Sequence, residues 1–179
     1  GNPTVFNTKQ VDFDGADDYM DAGVLPDVFR NAFTVSAWVW TDESSGNHQI
    51  ISTGEGALSQ IFQNGQSLAI QVRGSSTITK ITSNYFDSAH RNKWVYLTVV
   101  YNGSTIKAYR NGVEVDSDTQ NTNISYQDST SGNRIGEWGY SSYQRNFNGQ
   151  IYSVQVYNRE LSANEVLHNY NALKGRFGL

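Results

Sequence analysis

At 179 residues the chain matches one β domain, long enough to bury most of its unfolded surface without a disulfide or metal to hold it. It has no cysteine, which removes disulfides, cysteine-type zinc sites and thiol catalysis and leaves the redox compartment open. A net charge of -4 with no basic run argues against nucleic acid and anionic membranes, and no apolar stretch approaches the ~20 residues of a membrane span. Tyr, Trp, Thr, Ser, Asn and Gly are abundant, a composition shared with many extracellular β-sandwiches. No signal peptide is visible, as expected of a mature domain excised from a longer chain.

Residues 1–10 read as an N-terminal extension. Val11-Asp12-Phe13 before Asp14-Gly15 predicts a short strand and a turn, and Tyr19 to Ala22 a second strand. Leu25 to Asn31 reads as a loop or a single helical turn. Phe33 to Trp40 is a strong strand. Both its alternating rows are partly apolar, so it should be covered on both sides. Short strands are expected at Gln49 to Thr53, Ser59 to Gln63, Ser67 to Arg73 and Thr77 to Ser83, separated by polar or Gly-containing turns. Phe86 to Asn92 is polar with room for one helical turn. Ser117 to Asn133 is a long hydrophilic connection, Arg134 to Gly136 a short strand, Glu137 to Arg145 an aromatic-polar loop, and Phe147 to Asn158 the last long strand.

Between these lies Trp94 to Asp118, with Asn102-Gly103 and Asn111-Gly112 each flanked by alternating residues. Asn-Gly suits the two-residue type I′ turn, which needs positive φ at both positions, so a three-stranded meander is predicted. Two-residue loops would place Val99 opposite Ile106, Ala108 opposite Val115 and Lys107 opposite Asp116. One face would then carry Val95, Leu97, Val99, Tyr101, Ile106, Ala108, Val113 and Val115 as core. The other would carry Trp94, Tyr96, Thr98, Lys107, Tyr109, Glu114 and Asp116, either solvated, ligand-binding or buried under a loop or helix.

The chain ends in a predicted helix. Ser162 and Glu165 have capping-box spacing, and Leu161 and Val166 that of a hydrophobic staple. Val166, Leu167, Tyr170 and Leu173 give an apolar stripe, and Gly175 is the expected stop.

Strands every 8–12 residues indicate an all-β sandwich or barrel. Four stretches sharpen this: VDFDGADDYMDAG, FTVSAWVW, WVYLTVVYNGSTIKAYRNGVEV and FNGQIYSVQVYNRELSANEV. In this order the chain resembles the laminin-G-like, concanavalin-A-like jelly-roll domains. The resemblance spans about residues 11–170 and implies two antiparallel sheets packed face to face, with first and last strands adjacent, in a single domain over 1–179. It does not fix a function, because this fold hosts lectins, adhesins, glycosidases and inert spacers.

Several residues carry candidate chemistry. Glu114-Val115-Asp116-Ser117-Asp118 is similar to the carboxylate strand of jelly-roll glycosidases, but the last position is Asp. Strand positions four apart lie ~13 Å apart. Retaining and inverting glycosidases need carboxyls roughly 5–5.5 Å and roughly 6.5–9.5 Å apart, so a glycosidase is the less favoured expectation. Asp12, Asp14, Asp17, Asp18 and Asp21 cluster near the start, and Ca²⁺ takes oxygen ligands. Relatives place a calcium-binding Asp after Gly-x-Ile in the last long strand. This chain has Gly149-Gln150-Ile151-Tyr152 there, which leaves Asp14 as the candidate calcium contact and no cofactor that the chain requires. His48, His90 and His168 have no metal-ligand spacing.

Sugars are held by aromatic faces, with amides, carboxylates and Arg fixing their hydroxyls. Two places fit. One is Tyr96, Tyr109 and Glu114 on the meander's second face, near Trp94. The other is the loop with Trp138, Tyr140, Tyr143, Gln144 and Arg145, joined by Trp40 and Asp42. The expected function is a non-catalytic carbohydrate-binding module of a larger secreted, surface or virion protein, partnered by a glycan and by other domains of its parent. The alternative is a structural or adhesive domain without a sugar site, as in a phage tail.

Overall fold

The computed structural model describes residues 4–5, 10–23, 31–53, 59–73, 77–119, 133–138 and 145–179. In chain order its strands are β1 (Thr4–Val5), β2 (Val11–Asp14), β3 (Met20–Asp21), β4 (Phe33–Trp40), β5 (Asn47–Thr53), β6 (Ser59–Asn64) and β7 (Ser67–Arg73). They continue with β8 (Thr77–Thr82), β9 (Trp94–Tyr101), β10 (Thr105–Arg110), β11 (Val113–Thr119), β12 (Arg134–Ile135) and β13 (Asn148–Tyr157). Helix α1 (Ala163–Leu173) and a 3₁₀ turn, Lys174–Phe177, close the chain. Leu25 to Arg30 and the connection 120–132 lie outside the described residues.

The strands form two antiparallel sheets. Sheet A runs β1-β13-β4-β9-β10-β11, with β2 also on β13, and sheet B runs β3-β12-β5-β6-β7-β8. The first and last strands are therefore neighbours, as the resemblance implies. Between the sheets lies one core, in which Val35, Ala37, Val39, Val95, Leu97 and Val99 of sheet A join Ile51, Ile61, Ile70, Val72 and Ile135 of sheet B. This is a jelly-roll β-sandwich, each sheet contributing the inward row of its alternating strands.

The meander is present, but its register differs from the expected one. Asn111 (φ 54°) and Gly112 (φ 81°) both take positive φ, as a type I′ turn requires. The Asn102-Gly103 loop is longer. Asn102 Oδ1 accepts from Ser104 N (3.1 Å) and Thr105 N (2.8 Å), so the side chain builds the turn and the first flanking pair is Tyr101 with Ile106. Val99 consequently faces Ala108, not Ile106. The slip is two residues, which preserves the faces.

A bulge in β11 has the opposite effect. Tyr109 pairs with Glu114 but Ala108 with Asp116, leaving Val115 as the extra residue. One extra residue exchanges the faces beyond it, so Asp116 shares the inward side with Ala108 and no longer lies opposite Lys107, which pairs with Ser117. Val113 and Val115 are not core. They are 62% and 39% exposed on the edge strand.

The outer face of sheet A is closed by the C-terminal segment. Ser162 caps α1 with the expected reciprocal box to Glu165, and Leu161 and Val166 are buried together with Val100, Tyr109 and Tyr157. Leu167 is exposed, apart from the predicted stripe. Gly175 does not stop the helix. The chain tightens into the 3₁₀ turn and takes the left-handed conformation at Gly178 (φ 73°). That extra turn delivers Phe177 onto Trp38, with ring centroids 4.2 Å apart, and onto Trp94 at 4.7 Å. Tyr170 and Leu173 complete this second aromatic layer over Trp38, Tyr96 and Tyr152.

Candidate functional site

The meander face offered as a sugar platform is interior. Tyr96 and Tyr109 are each 1% exposed. Burial pushes the Tyr96 hydroxyl up to about 12. It does the same for Tyr109, with the Glu114 carboxylate adding to the rise. Tyr109 Oη donates to Glu114 Oε2 at 3.2 Å, so the expected neighbourhood of those two residues holds while their role as a ligand surface does not. Trp94 lies under Phe177. Trp40 is half-buried in sheet A between Trp94 and Gln150, away from the sheet B face to which it was joined by expectation.

The carboxylate strand is also engaged. The Asp116 carboxylate meets Lys80 Nζ of β8 at 3.0 Å, and Lys107 reaches Glu160 instead, at 3.7 Å. Near the chain start, Asp14, Asp17 and Asp18 offer oxygens within 4.8 Å of one another, all on exposed residues. Two are already used inside the loop, by Ala16 N on Asp14 Oδ1 and Asp14 N on Asp18 Oδ2. The donor set is right for Ca²⁺, and both carboxylates keep lone pairs beyond those hydrogen bonds.

The second predicted place is where the structure gathers residues. Because Ile51, Ile61 and Ile70 point into the core, Ser52, Gln60 and Gln71 stand on the outer face of sheet B. Their cross-strand partners extend the row to Asp21 and Arg134 on one side and Thr79 on the other. One carboxylate, one guanidinium, two amides and two hydroxyls thus line up across six strands, with Ser52 and Gln60 buried in the middle of the row. Phe62 stands two residues along β6 from Gln60 on the same face.

Arg145 returns over this face from the 137–145 loop. Its guanidinium carbon is 4.6 Å from the Trp138 ring centroid and 4.7 Å from that of Phe62, and Nη1 is 3.5 Å from Gln60 Oε1. Burial lowers its pKa from the ordinary arginine value. The backbone holds the loop down: Gln49 N donates to Arg145 O at 3.0 Å, and Ser52 Oγ donates to Glu137 O at 3.0 Å. Arg134 forms an ion pair with Glu137 and stacks at 4.2 Å over the exposed ring of Tyr19. Trp138 and Arg145 are therefore brought together. Tyr140, Tyr143 and Gln144 of the same loop lie outside the described residues.

Sequence reasoning missed the strand contribution, namely Ser52, Gln60, Phe62, Gln71, Thr79 and Arg134. Its signal was there in the alternation of SQIFQN and SLAIQVR, which sets Gln60 and Gln71 opposite in face to Ile61 and Ile70.

A two-sheet antiparallel jelly roll with an amide, arginine and aromatic surface on one outer face belongs to the lectin-like class of β-sandwiches. Residues 14–167 match the laminin-G-type model of the Concanavalin A-like lectin/glucanases superfamily, and the chain belongs to that superfamily. Comparison with curated proteins finds no match. Among solved structures it is similar to the binding domain of botulinum neurotoxin DC in complex with rat synaptotagmin II (16% identity, TM-score 0.69, 97% of this chain and 45% of that one). It is similar also to the DC binding domain in complex with SialylT (16%, TM-score 0.70, 97% and 45%). A third is a structure of botulinum neurotoxin type C, whose cell entry is described as dependent on interaction with two ganglioside molecules (17%, TM-score 0.68, 97% and 45%). The chain spans about 45% of the length of these structures. At such identities the likeness is one of fold. Among the described residues no helix is long and apolar enough to cross a membrane.

Proposed function

We propose that this chain is a non-catalytic carbohydrate-binding module of a larger secreted, cell-surface or virion protein, acting as one domain. Its site is the outer face of sheet B around Trp138 and Arg145. The observation that carries the reading is the packing of the Arg145 guanidinium against Trp138 and Phe62, at 4.6 and 4.7 Å, beside the Gln60–Gln71 row. An aromatic ring takes the C–H face of a sugar, and the half-buried Gln71 amide and Arg145 guanidinium take its hydroxyls, with the buried Gln60 behind them. The binding domains named above, with their ganglioside, SialylT and protein partners, support recognition of a cell-surface ligand. Calcium at Asp14, Asp17 and Asp18 is carried as an accessory, stabilising the loop after β2 and remote from the sugar-contacting residues in sequence. Glycosidase activity has less support, since Asp116 is engaged by Lys80 and Glu114 by Tyr109.

The second reading is a structural or adhesive domain, and one observation favours it. Val113, Val115 and Leu167 are exposed around the β10–β11 hairpin, an apolar edge suited to other domains of a parent assembly. A glycan array at high micromolar protein, with and without Ca²⁺, decides between them. Binding that Trp138→Ala abolishes supports the carbohydrate module. No binding in either condition leaves the structural reading.

A further inference from the structure

Arg134 and Arg145 are in different electrostatic situations. Arg134 has a carboxylate partner, Glu137, three residues away. Arg145 has none: among the described residues no carboxylate lies within 4 Å of it. Among the described residues its guanidinium meets the neutral Gln60 Oε1, at 3.5 Å, the outer limit of a hydrogen bond. A half-buried guanidinium packed against two rings makes those contacts through its π system, which uses none of its N–H donors; with one donor on Gln60, the others suit an oxyanion. Burial without a counter-charge costs free energy, which an arriving anion recovers.

We propose that Arg145 is the anion-binding point of this surface, and that its ligand is an acidic glycan bearing a carboxylate or a sulfate ester. This rests on the reading of the face as a carbohydrate site. The oxyanion accepts two N–H bonds from the guanidinium edge, while Trp138 packs on the sugar ring and the half-buried Gln71 accepts or donates at a neighbouring hydroxyl. The stacked arginine is thereby the element that selects charge, and the amide row the element that tolerates different neutral sugars. The chain's net charge of -4 makes general attraction of polyanions a poor explanation for any such preference, so it must come from a local site.

The test is an array of carboxylated, sulfated and neutral glycans together with the carboxyl-reduced and desulfated forms of the acidic ones, followed by calorimetry on those retained. Acidic glycans are expected to bind at least about tenfold more tightly than their neutralised counterparts, in the range of a charge-assisted pair. Whichever of the two neutralisations removes binding identifies the oxyanion. Arg145→Gln should erase the preference while neutral sugars still bind. Arg145→Lys, which keeps the charge and loses the planar fork, should retain only part of it. Melting curves of both variants show that the fold is intact. Equal binding of acidic and neutralised glycans, or retention of neutral glycans alone, overturns the inference and leaves the carbohydrate module standing. Failure of every glycan to bind overturns both.

Discussion

Lys80 Nζ lies 3.0 Å from Asp116 Oδ2 and so ties β8, the last strand of sheet B, to β11, the last strand of sheet A. Apolar packing joins the two sheets along the core. This pair closes the open side of the sandwich, and it exists because the Val115 bulge turns Asp116 inward. Lys80→Met should cost about 0.5–1 kcal/mol, the range of a partly exposed ion pair, and much of that should disappear in high salt. Chemical denaturation at low and high ionic strength measures it.

The C-terminal turn should contribute far more. Phe177 contacts Trp38, Trp94 and Tyr152, and its removal opens an aromatic layer on sheet A. Phe177→Ala is expected to destabilise by about 2–4 kcal/mol and to shift tryptophan emission to the red. An emission maximum unchanged from that of the parent protein would show that Trp38 and Trp94 are not held under this turn.

Gly149 shows the same dependence on close packing. Its φ is +137°, and a Cβ there would meet the Trp40 carbonyl oxygen at 2.2 Å. That oxygen and the Thr41 Cα, at 3.2 Å, are backbone atoms, so relief requires β13 to part from β4. Gly149→Ala should destabilise by at least about 2 kcal/mol, combining strain at positive φ with overpacking. Thermal melts suffice to check it.

Tyrosine titration reports directly on the covered face. Tyr96 and Tyr109 have hydroxyls pushed up to about 12, against 10.0 for an ordinary tyrosine. The folded state keeps protons that the unfolded state gives up, so stability from these groups is complete below pH 10 and is lost as pH rises towards 12. A titration at 295 nm should show an early exposed phase and a late phase coincident with unfolding. Tyr96→Phe should remove amplitude from the late phase only.

At the acid end the capping box governs. The Glu165 carboxylate is held at about 2, first by Arg159 and then by Ser162, against 4.5 unperturbed. Its folded pKa is depressed, so its contribution is present above pH 4.5 and fades as pH falls towards 2. Glu165→Gln should therefore lower the melting temperature at pH 7 and leave it nearly unchanged at pH 2. A constant difference between the two proteins across that range contradicts the assignment.

The sandwich was legible because its signals are local and repeated. Phe33–Trp40 and Trp94–Tyr101 carry apolar residues on both rows, and both strands are covered on both sides. The capping box placed the helix to the residue. Register was not legible, since it depended on an Asn102 side chain replacing a backbone turn and on a bulge at Val115. Neither leaves a periodic trace. The site divided along the same line. Trp138 and Arg145 share a short loop and were visible together, whereas Gln60 and Gln71 meet only after β6 and β7 pair. Tyr96 and Tyr109 misled because an aromatic on a sheet face looks alike whether a sugar or a helix covers it. What decided the matter was the reach of Phe177, four residues beyond the end of α1.

The central claim, that sheet B presents the ligand surface, is tested most directly by chemical-shift mapping of the labelled protein during titration with the glycans of the array at millimolar concentration. Shifts confined to Trp138, Arg145, Gln60, Gln71 and their neighbours are expected, with Trp38, Tyr96 and Tyr109 unmoved. Shifts centred on the helix-covered face of sheet A, or none with any glycan, would contradict it.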